Sequence, residues 1–454
     1  MEKAFFYHAL KVDHQLCYGC SKCMNSCPTE AIRVKNGKAF IYDNRCIDCG
    51  RCYEVCPVNA IYIKQDDFED INNYKHKIAL VPEVFFGQFP DRYSKAQICN
   101  AIMAIGFTNV AIAEISVPYL INKINEYCDN NKDIRPIISS FCPAVVRLVQ
   151  VKFPSLTPNI LLLKTPLDVT AIAVKQELIS KNIPEEEIGL FYITPCAAKI
   201  AAVKSPVGEE ISAISGVINM DTLFNKVYTH LKNNAVSSDD TDSINFSHNI
   251  HPCAANWPLT YGESSIVKGN NIAVDGIHNV IEFLEKVENE EMIGTDYIEL
   301  RSCIESCAGG VLLTSNKFLI SERIKKNKPC IPTCGESIEV ADGIQKHDEF
   351  LKSHIQVDAV LPRNMMKLDE NIEVAMQKLD RISKIMKILP QIDCSVCGSP
   401  NCNAFASDIA NHEAKLEQCI FIQRSMEHKD RLTSDESYQI MVNIWGKNKF
   451  NKIN

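Results

Sequence analysis

Twenty-one cysteines constrain this chain more than any other feature, because most of them fall in runs spaced as metal ligands. Cys17-x2-Cys20-x2-Cys23-x3-Cys27-Pro28 recurs as Cys46-x2-Cys49-x2-Cys52-x3-Cys56-Pro57. In such a run the two-residue gaps let three thiolates converge on one iron-sulfur cubane, while the fourth cysteine, set before a proline, crosses to the other. Cys17, Cys20, Cys23 and Cys56 are therefore expected to hold one 4Fe-4S cluster, and Cys46, Cys49, Cys52 and Cys27 a second. Zinc also accepts Cys-x2-Cys pairs, but the third cysteine at the same interval and the duplicated Cys-Pro argue against it.

The odd cysteine count and the lack of a signal-like segment in Met1 to Leu16 argue against a secreted disulfide scaffold. The longest apolar stretch, Ala101 to Ile115, is broken by Gly106, Thr108, Asn109 and Glu114, so no membrane span is expected. Lys plus Arg number 48 against 56 Asp plus Glu, a formal charge of -8 that gives no reason to expect a nucleic acid as partner. A soluble cytoplasmic protein with reduced, metal-ligating thiols is the expectation.

A length of 454 residues leaves room for about three domains. Eight cysteines lie between Cys17 and Cys56 and four between Cys394 and Cys419, so the two ends are cysteine-dense. The middle alternates strand-like runs (Asn109 to Ala113, Arg135 to Ser140, Ile188 to Thr194, Tyr297 to Ser302) with amphipathic helices. Lys95 to Ile105 opens behind Ser94 as N-cap, and Ile277 to Met292 sets Val280, Phe283, Leu284 and Val287 on one face. Such alternation predicts an α/β core. The polar stretch Lys232 to His251 reads as a surface insertion, and Met366 to Ile388 as a charged helix leading to the last cysteines.

Three segments of the middle carry cysteines just past predicted strands: Ser140-Phe141-Cys142-Pro143, Thr194-Pro195-Cys196-Ala197-Ala198-Lys199, and Glu299-Leu300-Arg301-Ser302-Cys303-Ile304-Glu305-Ser306-Cys307-Ala308-Gly309-Gly310. Ligands placed beyond strand ends can converge on one crevice. Here the sequence resembles the iron-iron hydrogenase family, in motif order across most of residues 76–330 and behind a module that resembles two-cluster ferredoxins over residues 10–65. The resemblance implies an α/β hydrogenase catalytic core (76–365), flanked by a ferredoxin-like α+β domain (1–75) and a small, mostly helical iron-sulfur domain (366–454). It implies that Cys142, Cys196, Cys303 and Cys307 ligate the cubane of an H-cluster, with Cys307 also bridging to a two-iron subcluster bearing CO, CN and azadithiolate. Lys199 would hydrogen-bond a cyanide and Pro82 would line the pocket. Gly309 and Gly310 would let the backbone pass close to the metal.

The chain departs from the fast members of that family. Phe141 stands where they carry a proton-relaying cysteine, and a phenyl ring has no exchangeable proton. Thr194, Ala202 and Arg301 replace a Met, a Glu and a Met, and Val145 replaces a Trp. The combination resembles the sensory branch, which implies hydrogen binding with slow turnover and electron transfer through the clusters. Cys253 and Glu299 are candidates for a substitute proton donor; the alternative for Glu299 is to hold the third loop by hydrogen bonds.

Cys394-x2-Cys397-Gly398-x-Pro400-x-Cys402 with Cys419 resembles a small 4Fe-4S domain, zinc being its competitor. Some thirty-five residues follow Cys419, fewer than a further domain needs, so a signal is expected to leave through a redox or signalling partner protein. Cys99 sits on an apolar helix and reads as core; Cys128 has no assigned role; Cys330 and Cys334 are left between a redox pair and none. H2 and protons are the expected substrates, and a homo-oligomer is left open. Two other readings stand: a hydrogenase-like iron-sulfur assembly or scaffold protein, and an electron-relay subunit without a two-iron site.

Overall fold

The computed structural model describes residues 6–209, 211–233, 250–292, 294–327, 339–363, 368–369 and 371–451. Contacts divide the chain into one unit of Met1–Ala9 with Gln65–Pro362 and a second of Leu10–Lys64 with Arg363–Asn454. The second unit contains both cysteine-rich ends of the chain.

In that unit four short strands, β1 (Leu10–Val12), β2 (Ile32–Lys35), β3 (Lys38–Ile41) and β4 (Ile61–Ile63), make two antiparallel pairs, β1 with β4 and β2 with β3. Asn36 and Gly37, both with positive φ (51° and 69°), turn the β2–β3 hairpin as a two-residue loop, whose twist suits a right-handed strand pair. The short helices Lys22–Asn25 and Arg51–Glu54 bury Cys23 and Cys52, the third cysteine of each run.

The C-terminal helices Ile372–Ile388 and Cys402–Ala410 share an apolar core of Ile385, Leu389, Phe405, Ala406 and Ile409. The two ends are joined by buried polar bonds. Arg33 on β2 donates from Nε and Nη2 to both oxygens of Asp408, at 2.5 and 2.9 Å. Val34 donates its N–H to the Gly398 carbonyl at 2.9 Å, and Asn36 and Gly37 donate to the carbonyls of Asn443 and Ile444. Each end is too small to bury much apolar surface alone, and sharing one core answers that.

In the other unit β5 (His76–Val81), β6 (Asn109–Ile112), β8 (Ile188–Thr194) and β9 (Gly216–Asn219) form a parallel sheet in the order β6-β5-β8-β9. A second parallel sheet, in the order β10-β11-β7, is made of β7 (Ile137–Ile138), β10 (Asn271–Asp275) and β11 (Tyr297–Arg301). The strands β5, β6, β8 and β9 are apolar and nearly all buried, as parallel strands covered on both faces must be.

Helix Lys95–Ala104 begins as expected behind Ser94, which forms a capping box with Gln97. Helix Ile277–Glu288 ends four residues earlier than its pattern suggested, and Ile281 is buried where Phe283 is only half-buried. The expected strand 135–140 shortens to two residues, and β5, β9 and β10 join those the sequence suggested. The expected insertion Lys232 to His251 falls mostly outside the described residues. No helix among the described residues is long and apolar enough to cross a membrane.

Candidate functional site

The strand ends of both parallel sheets open toward one set of thiols. β7 leads through Ser139, Ser140 and Phe141 to Cys142, which caps helix Pro143–Lys152, with Pro143 at the first helical position. β8 leads through Pro195 to Cys196, the cap of helix Ala197–Lys204. β11 leads to Cys303, and the 3-10 turn Ser306–Gly309 sets Cys307 four residues on. The positive ends of the two helices lie at Cys142 and Cys196.

The third loop is fastened to its neighbours by backbone bonds. Cys307 donates its N–H to the Pro258 carbonyl at 3.0 Å, and Leu312 donates to the Pro195 carbonyl at 3.0 Å. A Cβ on Gly310 would lie 2.6 Å from that Pro195 oxygen, and one on Gly309 would lie 2.0 Å from the Ile304 oxygen. The Pro195 and Ile304 carbonyls therefore require glycine at these two positions.

Electrostatics tie the thiols together. Burial pushes the Cys196 thiol up to about 12, with Cys307 and Cys142 adding to the rise and Lys199 opposing it. Cys307 is also raised by burial, against the pull of Lys199 and Arg301. Lys199 is 8% exposed; burial pulls its ammonium down, but Tyr192, Cys307, Cys196 and Glu114 together hold it above the ordinary lysine value. Thiols that ionise only beside strong positive charge, next to a fixed ammonium, suit an iron-sulfur centre with anionic ligands. Cys142, Cys196, Cys303 and Cys307 would hold it, with Lys199 as cationic donor.

Phe141 is 4% exposed and packed on three sides. Lys199 Nζ and Arg301 Cζ each lie 4.2 Å from its ring centroid, and the Trp257 ring meets it edge-on at 6.4 Å. A cavity of about 110 Å³ is bounded by Phe141 and Lys199 and lined further out by Leu163, Lys164, Val203 and Glu209.

Other expected site residues take supporting places. Thr194 is fully buried; its hydroxyl donates to the Cys196 carbonyl at 2.9 Å and accepts the Cys196 N–H at 3.4 Å, so it braces the ligand loop. Pro82 directly follows β5, whose Leu80 pairs with Tyr192, so it stands level with Thr194 beside the Cys196 loop. Glu299 accepts the N–H groups of Glu263 and Ser264 (3.1 and 2.8 Å) and Nε of Arg301 (3.2 Å). These bonds are those of the loop-holding role. Cys253 is disulfide-bonded and so has no thiol proton to offer. Cys99 is buried and free on its helix, as a core residue would be. Cys330 and Cys334 lie outside the described residues.

Several polar residues around the site were not singled out beforehand. Glu263, 1% exposed, receives Tyr297 Oη at 2.5 Å, Ser139 Oγ at 2.7 Å and Arg301 Nη2 at 2.9 Å. Glu114, 2% exposed, accepts the Glu83 N–H at 2.9 Å, and Lys95 Nζ bridges both Glu83 oxygens at 2.6 and 2.8 Å. A charge within the apolar stretch 101–115 was the available signal for Glu114.

In the other unit Cys17, Cys20, Cys23 and Cys56 line one small cavity, and Cys394, Cys397, Cys402 and Cys419 line another. Cys46, Cys49, Cys52 and Cys27 influence one another electrostatically as a group. Burial pushes Cys23, Cys49 and Cys397 each up to about 12, so a bound cation must replace the proton if they are to act as thiolates at neutral pH.

Residues 77–244 match the family model described as iron only hydrogenase large subunit, C-terminal domain. Residues 16–61 match a 4Fe-4S dicluster domain, and residues 389–421 a family described as a putative Fe-S cluster. The middle of the chain thus matches an iron-only hydrogenase domain and has an α/β core, and its N-terminal part carries a ferredoxin-type set of iron-sulfur ligands.

Among solved structures it shares the fold of an iron-iron hydrogenase described as revealing stepwise H-cluster assembly, at 13% identity and TM-score 0.51. It also shares the fold of a variant iron-iron hydrogenase from Chlamydomonas reinhardtii, at 14% identity and TM-score 0.50. Each match covers 66% of this chain and 97% of the other. A comparison with curated proteins finds no match.

Proposed function

We propose that the chain is an iron-iron hydrogenase of sensory type, which cleaves H2 reversibly and heterolytically with low turnover. Its electrons would pass through the iron-sulfur clusters for hydrogen sensing or redox signalling, in the cytoplasm and toward a redox or signalling partner protein. The observation that carries this is Lys199, a buried ammonium whose charge is felt by both Cys196 and Cys307 at the strand ends. When bound, a two-iron subcluster with CO, CN and azadithiolate ligands would supply the open iron at which H2 is split. Cys142, Cys196, Cys303 and Cys307 would hold the adjoining cubane, and Lys199 would donate to a cyanide.

Slow turnover follows from Phe141. Its ring is locked among Lys199, Arg301 and Trp257 and can neither take nor give a proton. Loss of a positioned proton donor typically costs 10²- to 10⁴-fold in a step that needs one. The test is hydrogen oxidation by the matured protein: slow but reproducible turnover is expected, and rates equal to relay-containing enzymes would overturn the assignment to Phe141.

A second reading is a hydrogenase-like scaffold or electron-relay subunit that holds cubanes only. It is favoured by Arg301, packed on Phe141 at 4.2 Å, which adds bulk and charge beside the thiols. Lack of metal carbonyl and cyanide infrared bands after maturation would favour it.

A further inference from the structure

Arg301 is a buried cation whose donors are not all used. It ends β11, two residues before Cys303, and is 1% exposed. Nε donates to Glu299 and Nη2 to Glu263, while Nη1 has no hydrogen-bond partner among the described residues. Glu263 is itself pinned by Tyr297 and Ser139, so the guanidinium has a fixed orientation. Stacking on Phe141 engages the guanidinium face, but the N–H bonds lie in its plane and still need acceptors.

Two more donors nearby are in the same condition: Trp257 Nε1 and Tyr192 Oη are buried without partners among the described residues. Trp257 meets Phe141, and Tyr192 lies under Lys199, 5.8 Å from ring centroid to Nζ. A buried donor left unpaired costs about 1–3 kcal/mol, so three around one set of thiols indicate an acceptor-rich group. The charge of Arg301 acts on Cys307 and Cys142.

We propose that Arg301 is a positioning residue for the iron-sulfur cubane held by Cys142, Cys196, Cys303 and Cys307, donating from Nη1 as a second cation beside Lys199 and favouring the reduced, more negative cluster. This rests on the four cysteines holding a cubane, as under Proposed function, and does not require the two-iron unit. Glu299 and Glu263 fix the direction of the donor. A methionine at this position would provide neither charge nor donor.

The test uses the full chain loaded anaerobically with iron and sulfide and titrated potentiometrically under electron paramagnetic resonance. Cys196→Ala identifies the signal of this cluster by its loss. In Arg301→Met the reduced-to-oxidised ratio at fixed potential should fall about tenfold, a shift of about 59 mV for one electron, while the other clusters keep their potentials. Arg301→Lys should recover part of the shift. Arg301→Met combined with Glu263→Gln supplies a variant with less uncompensated buried charge.

A second readout leaves the sequence intact. With nitrogen-15 arginine, pulsed resonance on the reduced cluster should detect coupling to an arginine nitrogen. An unmoved potential in a folded variant, or no such coupling in the unaltered chain, would overturn the proposal. If no signal is lost in Cys196→Ala, the cubane itself is absent and both readings fall. If the cubane is present and only carbonyl and cyanide bands are missing, the two-iron reading fails and Arg301 keeps its role.

Discussion

The ammonium of Lys199 sits 4.2 Å from the centroid of the Phe141 ring, and both residues are buried, Phe141 in the loop after β7 and Lys199 on the helix after β8. A non-titrating ring thus occupies the position beside the cation where a relay group is needed. Phe141→Cys restores an exchangeable proton there. Removing the ring also leaves a cavity, which costs about 3 kcal/mol, so the gain should fall short of what a well-packed relay provides. The expected outcome is a rise of about tenfold in hydrogen evolution driven by reduced methyl viologen. An unchanged rate in folded, fully loaded protein would mean that proton delivery through this position is not limiting.

Arg33 and Asp408 join sequence-distant parts of the cysteine-rich unit through a buried bidentate pair, which Ser399 extends with a 2.8 Å bond to Asp408. Removing one partner strands a buried charge. Arg33→Met should cost about 3–5 kcal/mol and accelerate loss of iron-sulfur absorption on heating, while Arg33→Met with Asp408→Leu should regain most of it. Equal thermal midpoints for the single variant and the parent chain would count against this join.

Glu114 gives a pH dependence. Burial, reinforced by Glu83, pushes its carboxyl from the usual 4.5 up to about 8. The folded chain then holds the proton between these values while the unfolded chain releases it. Stability therefore falls as pH rises through that window and levels off above it. Glu114→Gln keeps an acceptor for the Glu83 N–H and removes the charge. Unfolding followed at pH 5 and pH 8 should show the variant gaining on the parent at the higher pH by a few kcal/mol. Parallel pH curves for the two proteins would refute the buried-acid assignment.

The two lined cysteine cavities predict separate cluster losses. Cys20→Ala and Cys397→Ala should each lower iron by about four atoms per chain, and the double variant by about twice that. Zinc in place of iron at the C-terminal site of the parent protein, seen by elemental analysis, would contradict the 4Fe-4S reading there.

Local spacing made the cysteine sets legible, because a two-residue gap constrains where thiols can point before any tertiary structure forms. The cavities lined by Cys17, Cys20, Cys23 and Cys56 and by Cys394, Cys397, Cys402 and Cys419 follow the expected groupings. The strand Ile188–Thr194 was legible from its β-branched and aromatic content. His76–Val81, at the centre of its sheet, opens on His76-Lys77 and gave a weaker signal. The pairing of Arg33 with Asp408 was not legible, since nothing local pairs residues 375 positions apart. Glu263, Glu299 and Arg301 were illegible as a network for the same reason: their meeting depends on how one strand packs against a distant loop.

The central claim is that the centre held at Cys142, Cys196, Cys303 and Cys307 includes a cyanide-bearing two-iron unit beside Lys199. An infrared spectrum of the matured full chain, recorded with and without H2, addresses it directly. Metal carbonyl and cyanide bands that change under H2, with the cyanide bands shifted in Lys199→Met, are the predicted result. A spectrum reproducibly lacking those bands in protein with its full iron content would contradict the account and leave a chain that only carries electrons.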